Sequence, residues 1–270
     1  MPSAYREHNI MRIIFVRHAE PDYDTDSLTE KGKREARLLF ERARKWRVDE
    51  FYSSPMGRAR ETGRRICEAA RRKPVILDWL EEFNFTVDDY ENPGGRILCR
   101  DFVPGYLNGN PLLFDLDRWG EAGIMKSGGI REEYDRVCEA FDRLLERYGY
   151  KRNGYCYDSP PGHISSSGFM EYDGKTLEHY KEDKSDDTTL VFFCHLGIMS
   201  LLIAHLINAS PCTIWHGFFM PTSSVTVVAA EERVPGKAYF RCQLVGCTAH
   251  LRAGGEPVSY YGSFATPFML

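Results

Sequence analysis

The chain has 270 residues, 35 Lys and Arg against 39 Asp and Glu, a net charge of −4 and 43% hydrophobic residues. That is enough apolar material for one large or two small globular domains, and it excludes wholesale disorder. The slightly acidic balance, with a pI near 6.1, argues against a nucleic-acid binder, although residues 31–73 concentrate fifteen Lys and Arg against six Asp and Glu.

Residues 1–10 contain no apolar run of signal-peptide length and are expected to be an N-terminal extension. The longest apolar stretch, 190–207, is broken by Cys194, His195 and His205. It falls short of the roughly 20 residues that span a bilayer, so no membrane partner is expected. Eight cysteines are scattered without a CxxC pair, which predicts reduced thiols, a cytoplasmic location and no metal site.

In chain order, Arg12–Val16 reads as a strand buried on both faces. A helix follows over 29–46, capped by Ser27 or Thr29, with Ala36, Leu39, Phe40, Ala43 and Trp46 on one stripe. Phe51–Ser53 is a second strand. Ser54 as N-cap and Pro55 at the first helical position open a helix over 55–72. Val75–Leu77 is a third strand. Periodicity then fails over 83–127, read as an insertion of loops and short helices.

A helix over 129–148 carries the stripe Ile130, Tyr134, Val137, Cys138, Phe141, Leu144, Leu145 and Tyr148. Residues 150–187 are polar and turn-rich, a second insertion. A buried strand over 189–194 leads into an apolar helix over 197–208. Strands over 223–230 and 238–245 flank a turn at Pro235-Gly236. Alternation of strands and helices predicts a three-layer α/β/α fold with a mostly parallel central sheet. One domain over 11–252 contains both insertions, and 253–270 is a C-terminal tail.

Two strands end alike, one in Arg17-His18 and the other in Cys194-His195. Ligands of open parallel sheets bind beyond the carboxyl ends of the strands, which puts both histidines at the expected active site. Arg58, in the first turn of a helix, adds a guanidinium to an anion-attracting helix start. Glu81 and Glu82 follow Leu80 in a hydrophobic setting that suits a general acid.

These residues resemble the histidine phosphatase superfamily, the phosphoglycerate mutase-like family. The matching stretches are Val16-Arg17-His18-Ala19-Glu20, Leu28-Thr29-Glu30-Lys31-Gly32, Ser53-Ser54-Pro55 with Arg58-Ala59 and Thr62, Leu80-Glu81-Glu82, Cys194-His195-Leu196-Gly197 and Thr248-Ala249-His250-Leu251. They occur in the family's order and cover roughly 11–82 and 188–251. The resemblance implies that His18 is the nucleophile, forming a phosphohistidine, with Arg17, Arg58 and His195 holding the phosphoryl oxygens. His195 counts among the catalytic residues as well.

Glu82 is the implied acid, at the position where the family places its Glu, with Glu81 as competitor. No metal and no cofactor is implied. Ala19 stands where the family has Gly. Leu196 narrows the pocket, and Gly128-Gly129-Ile130 replaces a Gly-Glu-Ser segment, which bears on substrate class.

The short stretch between His18 and Leu28 favours hydrolysis of a phosphorylated small molecule, with inorganic phosphate as product or inhibitor. Phosphoglycerate mutase-type transfer is the alternative, using Arg96, Arg100 and Lys126 for a second phosphate. A non-catalytic phospholigand-binding module is the third reading. Leu196, Arg96 and Arg100 are the substrate-pocket candidates.

Overall fold

Eight strands build the central sheet of the protein, seen in a computed structural model that describes residues 11–160, 188–234, 236–263 and 265–267. Strand β1 (Met11–Arg17) leads through a small ribbon, β2 (Pro21–Asp22) and β3 (Ser27–Leu28), into α1 (Glu30–Ala43). Thr29 caps that helix, its hydroxyl accepting the Gly32 N–H at 3.0 Å. Next come β4 (Glu50–Ser53), α2 (Gly57–Ala69) and the two-residue edge strand β5 (Val75–Ile76).

The 83–127 insertion contains a hairpin, β6 (Thr86–Asp88) and β7 (Arg96–Leu98), and the short helices α3 (Pro104–Gly109) and α4 (Gly123–Ser127). Then follow α5 (Ile130–Glu146), the hairpin β8 (Lys151–Asn153) and β9 (Cys156–Asp158), β10 (Thr188–Cys194), α6 (Leu196–Ile207) and α7 (Pro211–Gly217). The hairpin β11 (Val225–Val234) and β12 (Lys237–Cys247) and the closing helix α8 (Ala249–Ala253) complete the described fold.

The sheet order is β5-β4-β10-β1-β11-β12-β9-β8. Alternate residues of the two central strands enter opposite layers. Ile13, Phe15, Leu190 and Phe192 pack with Phe141, Leu144 and Leu202 of α5 and α6. Ile14, Val16, Val191 and Phe193 pack with Leu39 of α1 and Ile66 of α2. A strand covered on both faces must be apolar at every position, and this is why both segments read as continuous apolar runs. The three-layer α/β/α architecture follows.

The sheet is less parallel than expected. Only β5-β4, β4-β10 and β10-β1 pair in parallel, whereas β1-β11, β11-β12, β12-β9 and β9-β8 are antiparallel. Strands joined by a two-residue turn can only run antiparallel, and β11 and β12 are joined across 235–236. The 150–187 insertion also contributes to the sheet, since Lys151–Asp158 forms its edge hairpin. Residues 161–187 and the expected extension 1–10 lie outside the described residues.

The second helix begins later than expected. Met56, not Ser54, is its N-cap, and Pro55 precedes the helix instead of opening it. Among the described residues no helix is long and apolar enough to cross a membrane.

Candidate functional site

Register delivers the two histidines to one place. In the parallel β1–β10 pair, Arg17 is level with Cys194, so His18 and His195 leave the sheet side by side. Their rings lie 5.1 Å apart, centroid to centroid, and both are almost completely buried. The same logic places Ser54. Ser53 of β4 pairs with Phe193 of β10, and Ser54 stands one residue further, beside His195.

The protonation of each ring follows from its partners. His18 Nδ1 lies 2.8 Å from the Ala19 carbonyl oxygen, which can only accept. The ring proton therefore sits on Nδ1, and Nε2 carries an unprotonated lone pair. Burial first, then the charge of Arg17, holds His18 well below the ordinary imidazole range, so the ring is neutral.

His195 Nε2 lies 2.8 Å from Ser54 Oγ, which also accepts the Met56 N–H at 3.2 Å. This contact fits the tautomer in which the serine hydroxyl donates to Nε2 and Nδ1 carries the His195 proton. Burial, with Arg58, Arg17 and Arg100 adding to it, keeps this ring neutral as well.

Arg17 is inside the protein, with Nη1 donating to the Met220 carbonyl at 2.8 Å and Nη2 to the Tyr261 carbonyl at 3.0 Å. Burial draws its pKa below the usual guanidinium value, with the Glu82 carboxylate opposing. Arg58, from the first turn of α2, pairs with Asp26 at 2.5 Å and lies under the Tyr23 ring, 5.2 Å from its centroid. Asp26 also accepts the Gly57 N–H at 2.6 Å and adopts a left-handed backbone, φ 48°. Any side chain at Gly57 would collide with the Asp26 carbonyl. Thr62 ties the two segments together, accepting the Ala19 N–H at 2.9 Å and donating to the Arg58 carbonyl at 2.7 Å.

Three buried N–H donors of this cluster have no partner among the described residues: Arg17 Nε, Arg58 Nε and His195 Nδ1. Buried donors are nearly always satisfied, so three together beside two guanidiniums mark a place built for anionic oxygens.

Glu82 and Glu81 part company here. Glu81 is exposed, whereas Glu82 turns inward and its Oε1 accepts the N–H groups of Phe83 at 2.8 Å and Ile198 at 3.1 Å. Oε2 lies 3.8 Å from Arg100 Nη2. The setting is thus polar, not the hydrophobic one read from the sequence. Arg100 is held by the Phe83 carbonyl and Asn84 Oδ1, beside Glu82. Leu196 opens α6 directly after His195.

Arg96 is not brought to this cluster. It is exposed on the β6–β7 hairpin, where Asp88, Thr86 and the Ser127 carbonyl take its hydrogen bonds. Lys126 is exposed on α4.

Residues 13–93, which span the Arg17-His18 strand end, Arg58 and Glu82, match the family model described as histidine phosphatase superfamily (branch 1). Over these residues the chain is similar to the histidine phosphatase superfamily. The adenosylcobalamin/alpha-ribazole phosphatase of Salmonella typhi is 26% identical over 215 residues, covering 76% of this chain and 84% of that protein.

Solved structures of two phosphatases share the fold. A phosphoserine phosphatase variant from Entamoeba histolytica in complex with phosphoserine has a TM-score of 0.53 at 18% identity, covering 89% of this chain and 99% of its own. The alpha-ribazole phosphatase from Shigella flexneri has a TM-score of 0.51 at 18% identity, covering 88% and 97%.

Sequence reading missed the supporting residues of this candidate site. Asp26 gave a faint signal, as an Asp before a strand. The Met220 and Tyr261 contacts gave none, because a backbone carbonyl carries no residue-type signature.

Proposed function

We infer that the protein is a phosphomonoester hydrolase in which His18 carries the phosphoryl group between two half-reactions on a small phosphorylated metabolite. The observation behind this is the set of three unpartnered donors, Arg17 Nε, Arg58 Nε and His195 Nδ1, around an imidazole with a free Nε2 lone pair.

In the first half-reaction, His18 Nε2 bonds to phosphorus as the bond to the ester oxygen breaks. Glu82 Oε2, the oxygen without a backbone partner, gives the leaving alkoxide its proton. Arg17 and Arg58 neutralise charge on the transferring oxygens and His195 donates a hydrogen bond to them, so the site supplies its own positive field without a metal or cofactor. The Nδ1–H bond to the Ala19 carbonyl steadies the positive ring that phosphorylation creates. In the second half-reaction, water attacks phosphorus and the P–N electron pair returns to His18. Glu82 takes the water proton, and inorganic phosphate leaves.

Hydrolysis is favoured over mutase-type transfer because Arg96, a basic residue that a second phosphate would need, is engaged by its own hairpin. The phosphatase names of the relatives point the same way. All eight cysteines are free thiols, which suits a reducing, cytoplasmic setting.

The test is turnover of p-nitrophenyl phosphate with EDTA present, together with trapping of acid-labile phosphate on the wild type and its absence on His18→Ala. Wild type that neither turns over nor traps phosphate across a panel of phosphorylated metabolites would leave the non-catalytic binding module. Bisphosphoglycerate-dependent mutase activity exceeding hydrolysis would favour transfer.

A further inference from the structure

The residues C-terminal to α8 return to the site. Glu256 anchors this strap to α1, pairing with Lys31 at 3.1 Å and with Arg34 at 2.8 Å. Val258 and Ser259 are then buried, and Ser259 Oγ accepts the Tyr261 N–H at 3.3 Å. The Tyr261 carbonyl holds Arg17, while its side chain is 40% exposed.

Across from it stands Tyr23, 58% exposed, in the turn between β2 and β3, with its ring over Arg58. The two tyrosine rings meet edge to face, 5.9 Å between centroids. Each phosphate-facing arginine is therefore attached to one tyrosine of a pair, and both rings reach solvent. Two adjacent rings over the same anion site give a ligand an apolar surface on which to stack.

We propose that Tyr23 and Tyr261 form the mouth of the pocket and select phosphomonoesters whose alcohol carries a planar aromatic ring over those of small, fully polar alcohols. The proposal rests on the hydrolase reading for its location. An aromatic leaving group gains an offset-stacked or edge-to-face contact as its phosphate reaches Arg17 and Arg58. A glycerol-sized polar alcohol has no surface to offer these rings. The strap from Glu256 to Tyr261 is part of the specificity apparatus, since it sets the height of one ring while its backbone fixes an arginine.

The test compares kcat/KM for 2-naphthyl phosphate and glycerol 2-phosphate in wild type, Tyr23→Ala, Tyr261→Ala and the two Tyr→Phe variants. Because leaving groups differ intrinsically, the quantity read is the ratio of the two kcat/KM values relative to wild type. Each Ala variant is expected to lower that ratio about three- to tenfold, chiefly through KM for the naphthyl ester, and each Phe variant to preserve it. Tyr261→Ala keeps the backbone carbonyl on Arg17, so a purely structural role of the strap would depress both substrates alike. Equal losses, or an unmoved ratio in both Ala variants, would overturn the proposal.

Dissociation constants of the same two esters on His18→Ala separate this from the hydrolase reading. If wild type shows no turnover but the naphthyl preference in binding falls with either tyrosine, the mouth stands and hydrolysis does not. If that preference is absent or insensitive to both tyrosines, the mouth is refuted whatever the catalysis.

Discussion

His195 Nε2 lies 2.8 Å from Ser54 Oγ, and this contact holds the ring with its unpartnered Nδ1 turned away from the serine. Ser54→Ala removes the group that holds the ring and its tautomer. Loss of one buried, orienting hydrogen bond corresponds to a fall of about tenfold in kcat/KM for p-nitrophenyl phosphate. Ser54→Thr, which keeps the hydroxyl, is expected to recover most of it. Equal activity in Ser54→Ala and wild type would show that His195 needs no such partner.

Glu82 and Glu81 make a paired test. Glu82→Gln keeps the size and the N–H acceptor of the side chain but removes the transferable proton, and kcat is expected to drop by about 10²-fold or more. Glu81→Gln, on the exposed neighbour, is expected to stay within about twofold, as surface changes do. Gly197 adds an independent probe. A Cβ there would stand 2.6 Å from Glu82 Oε1, so Gly197→Ala displaces the carboxylate and is expected to lower kcat while Tm stays near the parent value. Full activity in Gly197→Ala would mean that Glu82 is not held where catalysis needs it.

Asp26 holds Arg58 from a left-handed backbone position. Asp26→Ala loses both contacts and places at φ 48° a residue less at ease there than Asp, at a cost of roughly 1 kcal/mol or less from the backbone alone. A lower Tm and a KM raised about fivefold or more for monoesters are expected, the latter from the lost charge-assisted bond. Asn tolerates this conformation, so thermal melts should show Asp26→Asn closer to wild type. A melt in which Asn costs as much as Ala would remove backbone conformation from the explanation.

Acid should unfold this protein through its buried neutral histidines. His250 accepts from Arg42 at Nδ1 and donates to Ser223 at 3.1 Å, and burial, then the Arg42 charge, pushes its pKa down to about 3. The unfolded chain binds that proton below about pH 6.5, the folded one only near 3. Stability from this residue is complete above about 6.5 and is lost as pH falls toward 3, by about 1.4 kcal/mol per pH unit. His18 and His195, shifted in the same direction, steepen the loss. In urea titrations at pH 7 and pH 5, His250→Gln should lose roughly 2 kcal/mol less than wild type between the two values. An identical loss in both proteins would assign the acid sensitivity elsewhere.

The sequence by itself picked out the residues that meet at the candidate site and their level in the fold. Arg17-His18 and Cys194-His195 are legible because a strand buried on both faces is a continuous apolar run, and its carboxyl end is where an open sheet exposes a site. Arg58 was legible because helix starts have their own composition. Both kinds of signal are local along the chain.

Tertiary structure alone decided the rest. The resemblance already implied Glu82, but that Glu82 and not Glu81 turns inward depends on which carboxylate meets the Phe83 and Ile198 N–H groups, and the latter comes from a helix more than a hundred residues away. The tautomers of His18 and His195 depend on a carbonyl and a hydroxyl brought alongside by strand register. The antiparallel half of the sheet arises from pairing that periodicity does not encode, although the tight turn at 235–236 foreshadowed one hairpin of it. The grip of Tyr261 on Arg17 uses a backbone oxygen, which every residue possesses. Its placement is therefore a property of the folded chain and not of any residue type in it.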